Sequence, residues 1–296
     1  MPLFRSMLFA PGNHARKVEK CLQVHADAVI LDLEDAVAIA EKEATRSVVV
    51  AALQQPRQCL GYIRVNAIDT PYCYGDVQAA VVPGVDGIVL PKLESASDLR
   101  TIDWLVTQLE RERGLEAGAV DIVPIIETAR GIAQIEAICE AGTRMRRLTF
   151  GAGDYTLDMG LMWTAGEREL GYARAKIAQA CRAARIEAPI DTVHINLGRM
   201  EELRGATELA KSMGFQGKMC IHPEQVAPVN EIFSPTDEQV ALAKRYVQAF
   251  EEAEAAGSAS IQVDGYFLDY PIVAKAQRVL EQAEAIDASG RSHDTA

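Results

Sequence analysis

Two acidic residues follow successive apolar segments in the middle of the chain and could together bind a cation. Glu127 lies in IVPIIETARG, and Asp154 lies in LTFGAGDYTLDMG. If both segments are strands of a parallel barrel, their ends lie about 5 Å apart and the two carboxylates could share one ion. Oxygen ligands without a nearby His or Cys cluster favour Mg²⁺, with Mn²⁺ as an alternative. The competing interpretation is a structural ion pair with Arg64 or Lys92.

Two basic residues could bind an anion near these carboxylates. Arg64, in GYIRVN, carries a guanidinium that stays protonated and can hold a carboxylate through two hydrogen bonds. It could anchor an organic acid, or it could neutralise Asp32 or Asp35. Lys92, in VLPKLES, could likewise bind a substrate anion or balance the acidic cluster.

Further polar residues end other apolar segments. LDLEDAV contains Asp32, Glu34 and Asp35, which we expect to orient water molecules on the metal, although Asp35 could instead cap the following turn. His222, in CIHP, could hydrogen-bond the backbone or act in catalysis. Asp158 is expected to serve a local turn rather than the metal.

All these side chains share a position at or near the end of a strand-length apolar segment. Strands that alternate with helix-like stretches predict a parallel sheet buried on both faces, and eight such units close a barrel. Barrels of this kind carry their chemistry at the C-terminal ends of the strands. We therefore predict an α/β fold, a (β/α)8 TIM barrel. The predicted strands are 6–11, 28–35, 61–66, 87–92, 121–128, 147–154, 192–197 and 217–223.

The length of 296 residues exceeds the roughly 250 residues of such a barrel, so a C-terminal extension is expected. We predict a barrel domain over 1–235, a helical extension or lid over 236–288 and a disordered tail over 289–296. Within the extension, 237–256 has the pattern of an amphipathic helix, 261–270 that of a strand pair, and 271–288 that of a final helix.

Composition excludes several classes of function. A net charge of −12 and a pI near 5.0 argue against binding nucleic acid or an anionic membrane, because either would need a basic face. The six cysteines form no C-x-x-C pair, which is typical of reduced, buried thiols. No apolar run approaches the roughly 20 residues that span a bilayer, and the N-terminal segment lacks the features of a secretory signal. A cytoplasmic location is expected.

The ordered set of motifs resembles one enzyme family over nearly the whole chain. The sequence resembles the citrate lyase beta-subunit-like group of the HpcH/HpaI aldolase superfamily, close to its citramalyl-CoA and malyl-CoA lyases. The motifs that carry this resemblance are RSMLFAPGN, DLEDAV, YIRVN, VLPKLES, PIIETARG, FGAGDY, GKMCIHPEQ, VNEIFSPT and DGYFLDYPIVAKAQRVL.

This resemblance implies roles for several residues. It implies Mg²⁺ held by Glu127 and Asp154, with Arg64 in contact with substrate. It also implies that Asp269, in FLDYP, comes from the C-terminal extension of a neighbouring subunit and completes the site, so the protein is expected to be a homotrimer or hexamer. From its position alone, Asp269 could simply be an acidic residue at a helix N-terminus.

The resemblance further implies a coenzyme A thioester as substrate, with possible basic contacts from Arg5, Lys17 and Lys20. One position departs from the family pattern. Many members carry Glu-Asp where this chain has Gly153-Asp154. The missing side chain could leave room for a bulkier acid or for coenzyme A itself.

These observations predict a reversible Claisen-type carbon-carbon lyase. Its substrate is expected to be a short 3-hydroxy-3-carboxy-acyl-CoA such as citramalyl-CoA or malyl-CoA, cleaved to acetyl-CoA and a 2-keto acid. Asp269 is the candidate acid and base. The alternatives are a citrate lyase beta subunit acting on an acyl-carrier-protein thioester, a thioesterase or malate-synthase-like enzyme, and a non-catalytic protein that binds coenzyme A or a metabolite.

Overall fold

A computed structural model describes residues 4–288 of the chain. Within this range, eight parallel strands pair in sequence order, and the eighth pairs with the first to close a barrel. The predicted (β/α)8 architecture is confirmed. The chain divides into two compact units, Phe4–Asn230 with the barrel and a C-terminal unit that begins at Glu231. The sequence prediction placed this division after residue 235.

The barrel strands are short and each is followed by helical structure. The strands are β1 (Ser6–Pro11), β2 (Ala28–Asp32), β3 (Leu60–Arg64), β4 (Gly87–Leu90), β5 (Asp121–Ile126), β6 (Thr149–Phe150), β7 (Ile190–Asp191) and β8 (Gly217–Cys220). The helices up to β8 are α1 (Ala15–Gln23), α2 (Lys42–Leu53), α3 (Cys73–Ala80), α4 (Ala96–Glu112), α5 (Ala129–Ala133), α6 (Ile135–Cys139), α7 (Ala152–Asp158), α8 (Gly171–Ala183) and α9 (Met200–Ser212). Short 3₁₀ turns lie at Ile39–Glu41, Arg168–Leu170 and Pro223–Gln225, and α10 is Val226–Phe233.

Alternate side chains of each strand point into the barrel, where apolar residues fill the interior and polar residues lie at the C-terminal end. Buried apolar side chains from seven of the strands pack together inside. Because side chains two residues apart in a strand point to the same side, Asp32 follows Ile30, and Arg64 follows Tyr62, on the inward-facing side. The β2–β3 register pairs Asp32 directly with Arg64. The interior residues are Phe4, Met7, Ala28, Ile30, Tyr62, Val89, Val123, Ile125, Ile190 and Met219.

Two strand predictions need correction. The predicted strand 192–197 is wrong, because β7 is Ile190–Asp191 and the residues after it form a loop. The predicted strand 147–154 is too long, since β6 ends at Phe150 and α7 begins at Ala152. Asp154 therefore lies in the first turn of a helix and not at a strand end.

The C-terminal unit contains the predicted helix, strand pair and helix. They are α11 (Asp237–Ala255), the antiparallel strands β9 (Ile261–Val263) and β10 (Tyr266–Leu268), and α12 (Tyr270–Ala288). Phe250, Leu268 and Val273 form a small buried core in this unit. The predicted tail over 289–296 lies outside the described residues. No helix within 4–288 combines the length and apolar composition needed to cross a membrane.

Candidate active site at the barrel mouth

Glu127 is a buried carboxylate at the C-terminal end of β5. It is 3% exposed, and its Oε1 accepts a hydrogen bond of 2.8 Å from the backbone N–H of Lys92. Burial raises the pKa of Glu127 most, and the negative charge of Asp154 adds to this effect, so that the pKa reaches about 8. The structure therefore brings the two predicted metal ligands close enough to repel each other, which is the condition that a bound cation would relieve.

The turn from β6 into α7 is shaped around Glu127. A Cβ on Gly151 would overlap the Glu127 carboxylate and Cβ, so only glycine fits between the strand end and this side chain. The Gly151 N–H donates to the carbonyl of Ile126 at 3.0 Å, which fastens the start of α7 to the end of β5. Asp154 follows one turn later on that helix.

The donor set of the candidate metal site is a pair of carboxylates. Within residues 4–288, no group of three or more His, Cys, Asp or Glu side chains is arranged to hold an ion. A pair of oxygen ligands suits Mg²⁺, which commonly takes one or two carboxylates and keeps several water molecules. Glu127 and Asp154 thus fit this ion and do not resemble a zinc site.

Arg64 ends β3 and is surrounded by carboxylates. Its Nη1 lies 2.9 Å from Oε2 of Glu34, and its guanidinium lies over the ring of Phe9, 4.9 Å from the centroid. Burial acts to lower the pKa of Arg64, but the charge of Asp32 and the hydrogen bonds to it outweigh burial and raise that pKa. Conversely, Arg64 overcomes the effect of burial on Asp32 and holds the pKa of that carboxyl below its usual value.

Asp32 also organises the loop after β2. Its carboxylate accepts the backbone N–H groups of Glu34 at 2.9 Å and Ala36 at 3.0 Å. The turn-capping role considered for Asp35 therefore belongs to Asp32. Asp35 itself is exposed and lies 3.5 Å from the Lys92 ammonium.

Lys92 joins two acidic groups from a strained backbone position. Its φ of 51° lies in the left-handed region that non-glycine residues rarely adopt. Its Nζ donates to Oε1 of Glu34 at 2.5 Å, while its N–H holds Glu127. Burial raises the pKa of Glu34, and the charge of Arg64 only partly offsets this rise. Strain of this kind is typical of functional sites.

A cavity of about 610 Å³ opens beside these residues, between α1 and the ends of β1 and β8. Asp32 and Arg64 line it at one side, and Lys17 and Lys20 of α1 also line it. The position of Arg5 corrects one expectation. Arg5 precedes β1, at the opposite end of the barrel, and is buried in a 2.9 Å ion pair with Asp27, so it does not reach this cavity.

His222 caps a turn, and Gly153 leaves open space beside Asp154. The Nδ1 of His222 accepts the backbone N–H of Glu224 at 3.3 Å, which caps the turn that follows. Gly153 is exposed, and a Cβ there would meet no atom within 4 Å. The open space beside Asp154 is consistent with the room inferred from the sequence.

Asp269 directly precedes α12 in the C-terminal unit. Its Oδ1 accepts the N–H of Ile272 at 3.2 Å, and its carbonyl accepts the N–H of Val273 at 3.0 Å. Within its own unit it thus caps a helix. The residues around it, Tyr266, Phe267 and Tyr270, are 68%, 64% and 55% exposed.

Sequence reasoning assigned no role to a buried lysine that supports the mouth. The Nζ of Lys42 donates to the carbonyl oxygens of Leu33 and Glu34, at 3.0 and 2.7 Å, and to Oδ1 of Asn66 at 2.7 Å. It thereby joins the loops after β2 and β3. The helical spacing of the sequence could have indicated that this lysine is buried, because Lys42 falls on the buried face of α2 with Thr45, Val49 and Leu53.

Comparisons with known proteins identify relatives of this chain. The family model described as HpcH/HpaI aldolase/citrate lyase matches residues 5–223. The citrate lyase subunit beta of Leuconostoc mesenteroides subsp. cremoris is 38% identical and is matched over 97% of both chains. The L-malyl-CoA/beta-methylmalyl-CoA lyase of Cereibacter sphaeroides is 34% identical over 96% of both chains.

A solved structure extends the comparison to ligands. The protein CitE from Mycobacterium tuberculosis, in complex with magnesium, acetoacetate and coenzyme A, is 26% identical, with a TM-score of 0.76 over 94% of this chain and 97% of that one. The segment 5–223 that the family model matches includes β1 to β8 and the mouth residues Arg64, Glu127 and Asp154. Together with relatives that match almost end to end, it establishes that this chain belongs to the HpcH/HpaI aldolase/citrate lyase family.

Proposed function

We propose that this protein is a Mg²⁺-dependent carbon-carbon lyase that cleaves a short 3-hydroxy-3-carboxy-acyl-CoA, such as citramalyl-CoA or malyl-CoA, to acetyl-CoA and a 2-keto acid. The observation that carries the proposal is the buried carboxyl of Glu127 beside the partly exposed Asp154 and the guanidinium of Arg64 at the barrel mouth. Relatives named as citrate lyase beta subunits and malyl-CoA lyases support this chemistry.

The residues at the mouth have complementary tasks in this proposal. Glu127 and Asp154 hold the divalent ion, which when bound polarises the hydroxyl and carboxylate oxygens of the substrate. Arg64 meets the negative charge of the keto-acid portion through its Nη1 edge, where Glu34 now lies at 2.9 Å. Lys92 holds Glu34 and Glu127 in place, so its predicted contact with substrate becomes an indirect one.

The cavity beside α1 is the candidate position for the thioester carrier. Its wall contains the apolar residues Phe9, Val193 and Ile221, and Lys17 and Lys20 line it as well. The ammonium groups can meet the phosphates of coenzyme A, and the apolar wall can hold its pantetheine arm.

A second copy of the chain supplies the acid and base. Asp269 of the partner subunit takes the hydroxyl proton as the carbon-carbon bond breaks to give the 2-keto acid and the enolate of acetyl-CoA, and it then returns that proton to the enolate carbon. The exposed aromatic residues Phe267 and Tyr270 around Asp269 favour such docking, since large exposed apolar groups are typical of interfaces. The oligomer proposed for this arrangement is the homotrimer or hexamer that the family resemblance implies.

A second candidate is the beta subunit of a citrate lyase complex, which would act on an acyl-carrier-protein thioester. Citrate lyase beta subunits are matched at 38% and 37% identity over nearly their full lengths. This candidate keeps the same fold and the same carboxylates and changes only the thioester carrier.

The test incubates the purified protein with acetyl-CoA and, in turn, pyruvate, glyoxylate and oxaloacetate, with Mg²⁺ or with EDTA. A CoA adduct that forms with one keto acid only when Mg²⁺ is present, read by mass spectrometry, supports the lyase and identifies its substrate. An adduct that forms only with acetyl-acyl-carrier protein supports the citrate lyase subunit. Release of free thiol supports a thioesterase or malate-synthase-like reaction. Folded protein that yields none of these products contradicts the proposed function.

A further inference from the structure

Asp158 connects the two elements that carry the carboxylate pair. It is the last residue of α7, and its Oδ2 accepts the backbone N–H of Ala129 at 2.7 Å. Ala129 is the first residue of α5 and lies two positions after Glu127. The contact therefore spans from the helix of one proposed metal ligand to the chain segment of the other.

The geometry of α7 gives this contact a direct bearing on Asp154. Residues four apart in a helix lie on the same face, so Asp154 and Asp158 both face the end of β5. The other end of α7 is fastened as well, because Gly151 N–H donates to Ile126 and Ala152 N–H donates to Oγ1 of Thr192 at 2.8 Å. One turn of helix, held at both ends, thus sets the position of Asp154.

Two like charges at the barrel mouth need such a restraint. Glu127 is fixed by burial and by the N–H of Lys92, whereas Asp154 lies on a helix of seven residues, too short to be stable without tertiary contacts. Binding of a cation needs both carboxylates in their charged form, in which their repulsion pushes the freer partner away. Loss of the Asp158 contact would release the C-terminal end of α7 from β5.

We propose that Asp158 is a positioning residue for the Glu127–Asp154 pair, and that its hydrogen bond to Ala129 N–H holds the two carboxylates at the separation that binds a divalent cation. The inference rests on the proposed metal site. Asp158 does not touch the ion in this account. The competing explanation is that Asp158 only caps α5, beside Thr128, whose Oγ1 accepts the N–H of Gly131 at 3.0 Å.

Two substitutions distinguish the effect of the Asp158 hydrogen bond from the effect of its negative charge. Asp158→Asn removes the negative charge but keeps a carbonyl oxygen that can accept the Ala129 N–H, whereas Asp158→Ala removes both. Asp158 is exposed, so both variants are expected to fold, which circular dichroism and thermal melting would check. If Asp158→Ala does not fold, Asp158→Ser, whose hydroxyl is one bond too short for the same contact, takes its place.

The readout is Mn²⁺ binding by electron paramagnetic resonance in the absence of substrate. We expect the Kd of Asp158→Asn to stay within about threefold of wild type, and that of Asp158→Ala to rise at least about tenfold, equivalent to 1.4 kcal/mol. Equal shifts in the two variants would assign the effect to charge and overturn the inference, as would no shift in either. Asp154→Asn is the control that is expected to bind no Mn²⁺. If wild-type protein also binds none, the metal site itself is overturned.

Discussion

Arg64 and Asp32 end neighbouring strands and hold each other through two hydrogen bonds of 2.6 Å, from Nε to Oδ1 and from Nη2 to Oδ2. The parallel register of β2 and β3 places the two residues side by side, so the barrel itself builds this pair. Asp32 uses two of the five N–H groups of the guanidinium. The Nη1 edge then faces Glu34 and the mouth, which fixes the direction from which Arg64 can meet a second acid.

The fork of Arg64 is expected to be essential for turnover. Arg64→Lys keeps the charge but loses the paired hydrogen bonds, because an ammonium cannot contact both oxygens of Asp32 and a substrate carboxylate in one plane. We expect kcat/KM to fall on the order of 100-fold. Steady-state kinetics of the lyase reaction would measure this. Arg199→Lys is the control, since Arg199 is an exposed residue that forms an ion pair with Glu202. Comparable loss in both variants would contradict the assignment.

Removal of one metal carboxylate should stabilise the protein without metal. Burial and the charge of Asp154 raise the pKa of Glu127 from 4.5 to about 8, so above pH 4.5 folding must either take up a proton or bury a charge at this carboxyl, and the substitution Glu127→Gln removes that cost. We expect the Tm in EDTA to rise by roughly 2 °C, while the increase in Tm that Mg²⁺ causes in wild type is abolished. Differential scanning calorimetry with and without Mg²⁺ tests both. Glu94→Gln, at an exposed ion pair, is the control. A variant that melts lower in EDTA yet still responds to Mg²⁺ would refute the prediction.

The left-handed backbone at Lys92 predicts a difference between two small substitutions. Both Lys92→Ala and Lys92→Gly lose the ammonium but keep the N–H that holds Glu127. Only glycine adopts a φ of 51° without steric cost, so Lys92→Gly should be more stable than Lys92→Ala by about 1 kcal/mol. Urea unfolding measures the difference. Equal stabilities would mean that the backbone at this position relaxes without cost.

A buried histidine predicts a pH dependence of stability. His194 is 6% exposed, and its Nε2 has no hydrogen-bond partner among the described residues. Burial lowers the pKa of His194 below its usual 6.5, and Lys218 adds to the effect, against the opposing charges of Glu167 and Glu202. The unfolded chain therefore binds this proton more tightly than the folded one. Stability from this group is complete above pH 6.5 and falls as the pH drops from there towards the lowered pKa.

Substitution of His194 by Gln should remove this slope. The difference in the free energy of unfolding between wild type and His194→Gln should change by up to about 1.4 kcal/mol per pH unit below pH 6.5 and stay constant above it. Urea unfolding at a series of pH values measures it, with His14→Gln at an exposed position as the control. A constant difference across the whole range would show that His194 does not titrate differently in the two states.

The barrel could be predicted from the sequence because eight strand-length apolar segments alternate with helix-like stretches and nearly all of them end in a polar residue. The prediction failed at β7 for a physical reason. Val193, Ile195 and Leu197 alternate with polar residues as in a strand, yet Ile195 and Leu197 are about half exposed in a loop. The strand residue Asp191 is fully buried in ion pairs with Arg174 and Lys218, at 2.8 and 2.6 Å. A strand whose outward face holds a charge network has no apolar pattern to recognise.

The sequence identified the main residues of the candidate site but not the contacts that hold them in place. Glu127, Asp154 and Arg64 were identified from residue type and position, and the structure brings them together. The supporting contacts of Lys42 and Asp158 depend on groups far away in the sequence: Oδ1 of Asn66 is 24 residues from Lys42, and the N–H of Ala129 is 29 residues from Asp158. No local pattern encodes such a distance. Asp269 was identified only through the family resemblance.

The proposed sharing of the active site between two subunits makes a prediction that two inactive variants can test together. Asp269→Asn should lose the proton donor, and Glu127→Gln should lose the cation, so each alone should be inactive. If the site combines the barrel of one subunit with Asp269 of the next, co-expressed variants form mixed oligomers in which about a quarter of the sites contain both intact residues. Differently tagged chains, purified through both tags in sequence, should then regain activity. If Asp269 acted within its own chain, no mixed oligomer would contain an intact site, and the doubly purified protein would stay inactive however well it assembles.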